Sequence, residues 1–93
     1  MVAITTTGGN VGAEITYQNA LRACEFLGVI DVPVGKSDVV VKSPDASHIH
    51  GEDGLGNASK YLPKVKIPKI TLTNDELLSK YIKKYPDLQI LTF

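Results

Sequence analysis

The stretch from Val2 to Gly28 constrains the fold more than any other. Val2-Ala3-Ile4-Thr5-Thr6-Thr7 is rich in β-branched residues and stops at Gly8-Gly9. Such side chains are stiff about χ1 and pack well on a pleated surface, so the pattern predicts a strand closed by a glycine turn. A helix is predicted next, from Ala13 to Leu27. Tyr17, Ala20, Leu21, Cys24 and Leu27 recur at three and four residues and make one apolar face. Glu14 suits the positive end of the helix dipole, and Gly28 suits the left-handed position that ends a helix. Strand, glycine turn and helix in this order point to an α/β sheet, in which ligands gather at the carboxyl ends of the strands.

The rest of the chain extends this pattern. Val29 to Gly35 reads as a second strand. Pro33 lacks an N–H donor, so this strand is expected at an edge or to end early. Ser37 to Lys42 extends it or forms a small irregular segment. Ser43-Pro44-Asp45-Ala46-Ser47 is a turn cluster. Lys60 to Lys69 holds four lysines, two prolines and no acid; it reads as a solvated, extended connection. Thr73 and Glu76 have capping-box spacing. Leu77, Leu78, Tyr81, Ile82 and Tyr85 form an apolar helical stripe, with Lys83 and Lys84 in its last turn. Tyr85-Pro86-Asp87 ends that helix, and Leu88 to Phe93 reads as a third strand. The expected fold is α/β: an open sheet of about three mainly parallel strands with two main helices, in one domain over residues 1–93.

Composition removes several function classes. Ten basic and ten acidic residues cancel, and Arg22 is the only arginine. A neutral chain short of guanidinium forks is a poor nucleic-acid or membrane-surface binder. The single Cys24 excludes an internal disulfide and a cysteine-based metal site, and it lies on the apolar helix face. Met1 is followed by neither a basic n-region nor a long apolar run, so no signal peptide and no bilayer span are expected. The expected setting is the cytoplasm.

Chemistry concentrates in His48-Ile49-His50-Gly51-Glu52-Asp53-Gly54-Leu55-Gly56-Asn57, which reads as a shaped loop. Histidine titrates near neutral pH, and glycine allows sharp turns and close backbone approach. Three readings of this loop stand open. The histidines with Glu52 and Asp53 form a metal site; one histidine faces a bound ligand; or both are plain surface residues. In an extended chain His48 and His50 would point opposite ways, which makes them a poor pair. The adjacent carboxylates fit a solvated or turn-capping role better than an acid/base pair. Tyr61 flanks the loop within reach of a ligand. Gly8-Gly9-Asn10-Val11-Gly12 lacks the spacing of a phosphate loop, but the Asn10 amide can donate and accept towards a polyol. Lys36-Ser37 after Gly35 resembles the tail of a Walker motif without its first glycine.

Two segments together resemble the inosine-uridine preferring nucleoside hydrolase family. Ile4-Thr5-Thr6-Thr7-Gly8-Gly9-Asn10-Val11 is similar to the family's second strand and its Thr-Thr-x-x-Gly-Asn-Val turn. His50-Gly51-Glu52-Asp53-Gly54-Leu55-Gly56 is similar to its His-Gly-x-x-Gly-Leu loop. Asn19-Ala20-Leu21 and Asp31-Val32-Pro33-Val34-Gly35 fit between them in the right order. The resemblance implies a partial Rossmann-like sheet of nucleoside hydrolase type. It also implies hydrolysis of the N-glycosidic bond of purine or pyrimidine ribonucleosides to ribose and free base, a reaction of nucleoside salvage. In the family a calcium ion holds the ribose and the attacking water, aspartates activate that water, and charge develops on the sugar. By this resemblance Asn10 contacts the ribose and His50 stands on the nucleobase side. Phe93 falls near a carbonyl that completes the calcium site.

The departures set further expectations. The family's Asp-x-Asp-x-Gly-x-Asp-Asp motif belongs before Met1. Its Gly-Pro-Leu-Thr-Asn turn and its later His-Asp segment belong after Phe93. Asp45, Glu52, Asp53 and Asp75 match none of these. The catalytic set is therefore expected to be incomplete, with no metal ligands and no calcium bound by the chain alone, which reads as an inactive internal piece. The alternative is a non-catalytic nucleoside- or polyol-binding module, or a chain that complements a partner carrying the absent strand. In the sheet order 3-2-1-4 that strand lies between Val2–Thr7 and Leu88–Phe93, so those two segments are expected to flank a slot that invites a partner strand or an oligomer contact.

Overall fold

A computed structural model of the chain describes residues 1–9, 11–39, 47–66 and 70–91, with the backbone alone at 47 and 48. Three strands, β1 (Ile4–Thr5), β2 (Val34–Lys36) and β3 (Leu72–Thr73), form one sheet in the order β1-β2-β3. Both ladders are parallel. Ile4 stands opposite Val34 and Thr5 opposite Gly35; Gly35 in turn stands opposite Leu72, and Lys36 opposite Thr73. The helices are α1 (Ala13–Phe26), the single turn α2 (Ser47–His50) and α3 (Asn74–Lys84), with a 3-10 turn at Ser59–Tyr61. The α/β sheet of three parallel strands with two main helices is thus the observed architecture.

The core forms where α1 lies on β2. Tyr17, Leu21 and Cys24 are buried with Val34, and Ile4, Ala20, Val29 and Val65 pack around them. Leu27, expected on the same face, is 72% exposed. The helix stops at Phe26, and the backbone then passes through Gly28 at φ 75. The Gly28 N–H donates to the Glu25 carbonyl at 3.1 Å and the Val29 N–H to the Cys24 carbonyl at 2.7 Å. These two bonds satisfy the Glu25 and Cys24 carbonyls in the last turn of α1. They leave Leu27 outside and bring Val29 against the core.

Helix α3 is fastened to the sheet at its first turn. The Thr73 hydroxyl accepts from the Glu76 N–H at 3.2 Å, as the capping spacing predicts. Asn74 reaches across β2 to β1. Its Nδ2 donates to the Thr6 carbonyl at 2.8 Å, and its Oδ1 accepts from the Thr6 N–H at 3.3 Å. The buried Thr6 hydroxyl donates to the Gly35 carbonyl at 2.7 Å. Gly35 is what lets α3 come this close: a Cβ there would lie 2.7 Å from Asn74 Oδ1 and 2.9 Å from Leu77 Cδ1. Leu77 is 1% exposed, whereas Ile82, expected on the same stripe, is 53% exposed.

Three expectations about strands are corrected. The first strand is shorter than Val2–Thr7. The second begins at Val34 and is central rather than an edge, because Pro33 lies just before the ladder and still offers its carbonyl to the Ile4 N–H at 3.0 Å. The third strand is Leu72–Thr73, not Leu88 to Phe93; residues 88–91 carry no strand, and Phe93 lies outside the described residues. A strand exists only where a neighbour completes its ladder. Leu72 finds β2, while Leu88 is held by a turn bond to the Tyr85 carbonyl at 3.1 Å.

Residues 88–91 and β1 flank a groove instead. It has a volume of about 530 Å³, and its floor and walls include Ala3, Ile4, Leu77, Tyr81, Leu88 and Ile90. β1 is an edge strand whose Ile4 and Thr6 amides both point to β2. Strand alternation turns the N–H and C=O groups of Ala3 and Thr5 to the groove side.

The lysine-rich connection is tied to α1 and the core at Val65 and Lys66. The Lys66 N–H donates to the Glu25 carboxylate at 3.0 Å, and Val65 packs on the core. Pro68 and Lys69 lie outside the described residues, as do Val40 to Lys42 and most of the turn cluster from Ser43. No helix among the described residues is long and apolar enough to cross a membrane.

Candidate functional site

With every ladder parallel, the carboxyl ends of the three strands share one side of the sheet. β1 leaves there into the glycine turn. The Gly9 N–H donates to the Val11 carbonyl at 3.0 Å, and a Cβ on Gly8 would come within 3.1 Å of the Ala13 nitrogen, so the turn is tight. Val11 is buried. Asn10, expected at the ribose, lies outside the described residues. At the end of β2, Lys36 pairs with Glu14 of α1 and sits 6.0 Å above the Tyr17 ring. The Lys36 hydrogen bond, then that of the Gln18 amide, holds the Glu14 carboxyl below its ordinary value. Glu14 is largely solvated, so the pair contributes at most about 1 kcal/mol.

The histidine segment folds as one helical turn, Ser47–His50, followed by a glycine-rich turn. The helical entry replaces the non-helical loop expected over His48–His50. Gly51, Gly54, Gly56 and Asn57 all have positive φ, 78, 72, 62 and 63 respectively. The His50 carbonyl accepts from the Gly56 N–H at 2.6 Å and the Gly51 carbonyl from the Gly54 N–H at 3.1 Å. His50 itself is exposed.

Asp53 organises this turn. Its Oδ1 accepts from the Leu55 N–H at 2.9 Å and the Asn57 N–H at 2.8 Å, and its Oδ2 accepts from the Ser59 N–H at 2.9 Å. The Ser59 hydroxyl, then these amides, hold the Asp53 carboxyl well below the usual carboxylate range. A carboxylate so occupied caps a turn and does not serve as a base. Glu52 is exposed beside it. The turn-capping reading of these acids is therefore the one the geometry supports for Asp53.

The loop docks on α1 and on the β1 turn. The Asn19 Nδ2 donates to the Asp53 carbonyl at 2.6 Å. A Cβ on Gly54 would lie 2.8 Å from Val11 Cγ2, so the loop backbone bears directly on the residue after Asn10. The two segments singled out in the sequence thus meet in space. Asn19 enters the sequence reading only as part of a motif; its partner is a backbone carbonyl, which leaves no mark in the sequence. Tyr61 stands exposed, with Lys60 Nζ 5.2 Å above its ring. Cys24 is in the core.

A hard cation such as calcium takes six to eight oxygen ligands. Among the described residues no three His, Cys, Asp or Glu side chains come together to hold a metal. Asp53 gives both its oxygens to backbone amides and Glu14 is paired with Lys36. The donor set of the described residues does not fit a calcium site.

Comparison with known proteins bears on the whole chain. A family model described as inosine-uridine preferring nucleoside hydrolase matches residues 1–93. An inosine-uridine preferring nucleoside hydrolase of Leishmania major is 44% identical over 69 residues, covering 71% of this chain and 22% of the relative. Uridine nucleosidase 1 of Arabidopsis thaliana is 34% identical over 90 residues, 92% of this chain and 26% of the relative. A pyrimidine-specific ribonucleoside hydrolase, RihA, of Citrobacter koseri is 33% identical over 88 residues, 91% and 28% respectively. The chain spans about a quarter of the length of these curated relatives.

Proposed function

Because the chain belongs to the inosine-uridine preferring nucleoside hydrolase family, we propose that it supplies one wall of a ribonucleoside site. The reaction of that site is hydrolysis of the N-glycosidic bond to ribose and free base. Asn10 addresses the ribose, and His50 stands on the nucleobase side and assists the leaving base. The observation that carries this reading is the docking of the His50 loop on the β1 turn, through Asp53 to Asn19 and Gly54 to Val11. The remaining catalytic groups, calcium included, come from elsewhere in the intact enzyme. The 93 residues alone bind nucleoside without turning it over. We place the chain in the cytoplasm, in nucleoside salvage, with a ribonucleoside as its ligand rather than a nucleic acid or a membrane.

The test is a titration of the chain with inosine and with uridine, read by heteronuclear NMR, beside an assay for free base with calcium present. Binding with shifts at His50 and the 8–12 turn, weakened in His50→Ala, is the expected result. Base release well above background would overturn the claim of an incomplete catalytic set. No binding of either nucleoside would overturn the claim of a pocket wall.

The groove at β1 favours a second reading, in which the chain complements another. An apolar extended segment from a separate chain would lie against Ala3 and Thr5 and fill the space between Ile4 and Leu88. Co-expression with the remaining part of a family member should then give a stable complex that releases base. Two chains that purify apart would count against it.

A further inference from the structure

We infer that Asn19 is a positioning residue: its side-chain amide fixes the His50 loop to α1 and so sets where the imidazole stands. The inference rests on the reading of His50 as a nucleobase-side group and goes beyond it, because it names what aims that group.

The argument starts from the stiffness of the loop. Asp53 gathers the Leu55, Asn57 and Ser59 amides, and the His50 and Gly51 carbonyls accept from Gly56 and Gly54. Residues 50–59 therefore move as one body. A stiff body is aimed by its points of attachment. One is the bond from Asn19 Nδ2 to the Asp53 carbonyl, 2.6 Å and partly buried. The other is the bearing of Gly54 on Val11, where a Cβ would lie 2.8 Å from Val11 Cγ2 and 3.5 Å from Asn19 Nδ2. The bearing limits approach but cannot hold the loop in. The amide supplies the directional hold. Asn19 lies on α1 midway between the buried Tyr17 and Leu21, so the anchor is carried by a helix that is itself held in the core. Site groups placed by a rigid element in this way keep their aim.

Asn19→Ala removes the hold and leaves the Asp53 carbonyl to solvent. The experiment follows the whole 93-residue chain by NMR, with inosine as the probe. In Asn19→Ala the His50 ring and Val11 methyl signals should move, while the Leu55, Asn57 and Ser59 amides keep their hydrogen-exchange protection because the Asp53 turn is intact. Inosine affinity at His50 should fall by about five-fold, the worth of one such hydrogen bond. Asn19→Gln, which keeps the amide donor, should recover most of the affinity. A loss caused only by weakened folding would instead spread to the Tyr17 and Leu21 amides and would not be recovered by glutamine. His50 and Val11 signals unchanged in Asn19→Ala would overturn the inference, whether or not inosine binds. Absence of inosine shifts in the unmodified chain would strike the proposed pocket wall, while the His50 and Val11 signals still decide the role of Asn19.

Discussion

Gly35→Ala offers the sharpest test of how α3 is joined to the sheet. Gly35 sits mid-strand in β2, beneath the first turn of α3. A Cβ there would lie 2.7 Å from Asn74 Oδ1, 2.9 Å from Leu77 Cδ1 and 3.2 Å from Asn74 Cα. Non-bonded carbon atoms settle near 3.5–4.0 Å, so α3 must lift by roughly 0.5–1 Å. Two of the three atoms offer little escape: one is backbone and one belongs to the most buried side chain of the fold. Overpacking of this kind costs about 1–3 kcal/mol. Lifting Asn74 also stretches its two bonds to Thr6, each worth about 0.5–1.5 kcal/mol. Alanine stiffens the unfolded chain and returns about 0.4–1 kcal/mol. The net expectation is a loss of about 2–4 kcal/mol, read as a lower urea midpoint at constant m-value. In an Asn74→Ala background the same substitution should cost less, because one of the colliding atoms is gone and the bonds are already lost. An unchanged midpoint for Gly35→Ala, or strict additivity with Asn74→Ala, would refute the packing argument.

Other expectations concern single sites. Leu77→Ala should cost about 2–5 kcal/mol in the same unfolding assay, and Ile82→Ala less than about 0.5 kcal/mol, although periodicity puts both on one stripe. Thr73→Ala should lose about 1 kcal/mol of stability through the Glu76 amide it leaves unpaired, seen as a lower melting temperature. The Asp53 carboxyl is lowered in the folded chain, so its stabilising effect is complete above the ordinary carboxylate value of about 4 and fades as pH falls towards the folded value. Amide shifts of Leu55, Asn57 and Ser59 should therefore hold steady through pH 4 and change only in stronger acid. Loss of the hydrogen-exchange protection of those amides between pH 5 and 4 would contradict the bonding drawn for Asp53.

What was legible in the sequence was mostly local. Helix α1, its Gly28 end and the Thr73 cap of α3 each depend on residues within a turn or two, and each stands where periodicity and capping place it. β3 has a faint local signal: Ile70-Thr71-Leu72-Thr73 is rich in β-branched residues and sits just ahead of that cap. Leu88 to Phe93 is the more apolar run, yet pairing is decided by distant backbone, and it is Leu72 and Thr73 that meet β2. Leu27 and Ile82 fell on the right angular face but beyond the helix end or away from any opposing layer. At the candidate site, the resemblance located the loop and the turn. Composition could not separate a capping carboxylate from a chemical one; that took the three amides around Asp53. Nor could it reveal Asn19, whose partner is a backbone carbonyl with no sequence signature.

The position of β2 has a consequence for how the chain comes to fold. Among the described residues it is the one strand that pairs on both sides, and α1 and α3 both rest on it. Its partners are remote along the chain: roughly 30 residues separate Ile4 from Val34 and roughly 37 separate Gly35 from Leu72, so each ladder must close a long loop before its first bond rewards the closure. Helices α1 and α3 can gather early, from local contacts alone. The sheet must wait for Val34 to find both neighbours, which makes zipping of β2 the slow step. Substitutions at Val34 or Gly35 should therefore appear chiefly in the refolding rate, and those at the Gly28 end of α1 chiefly in unfolding.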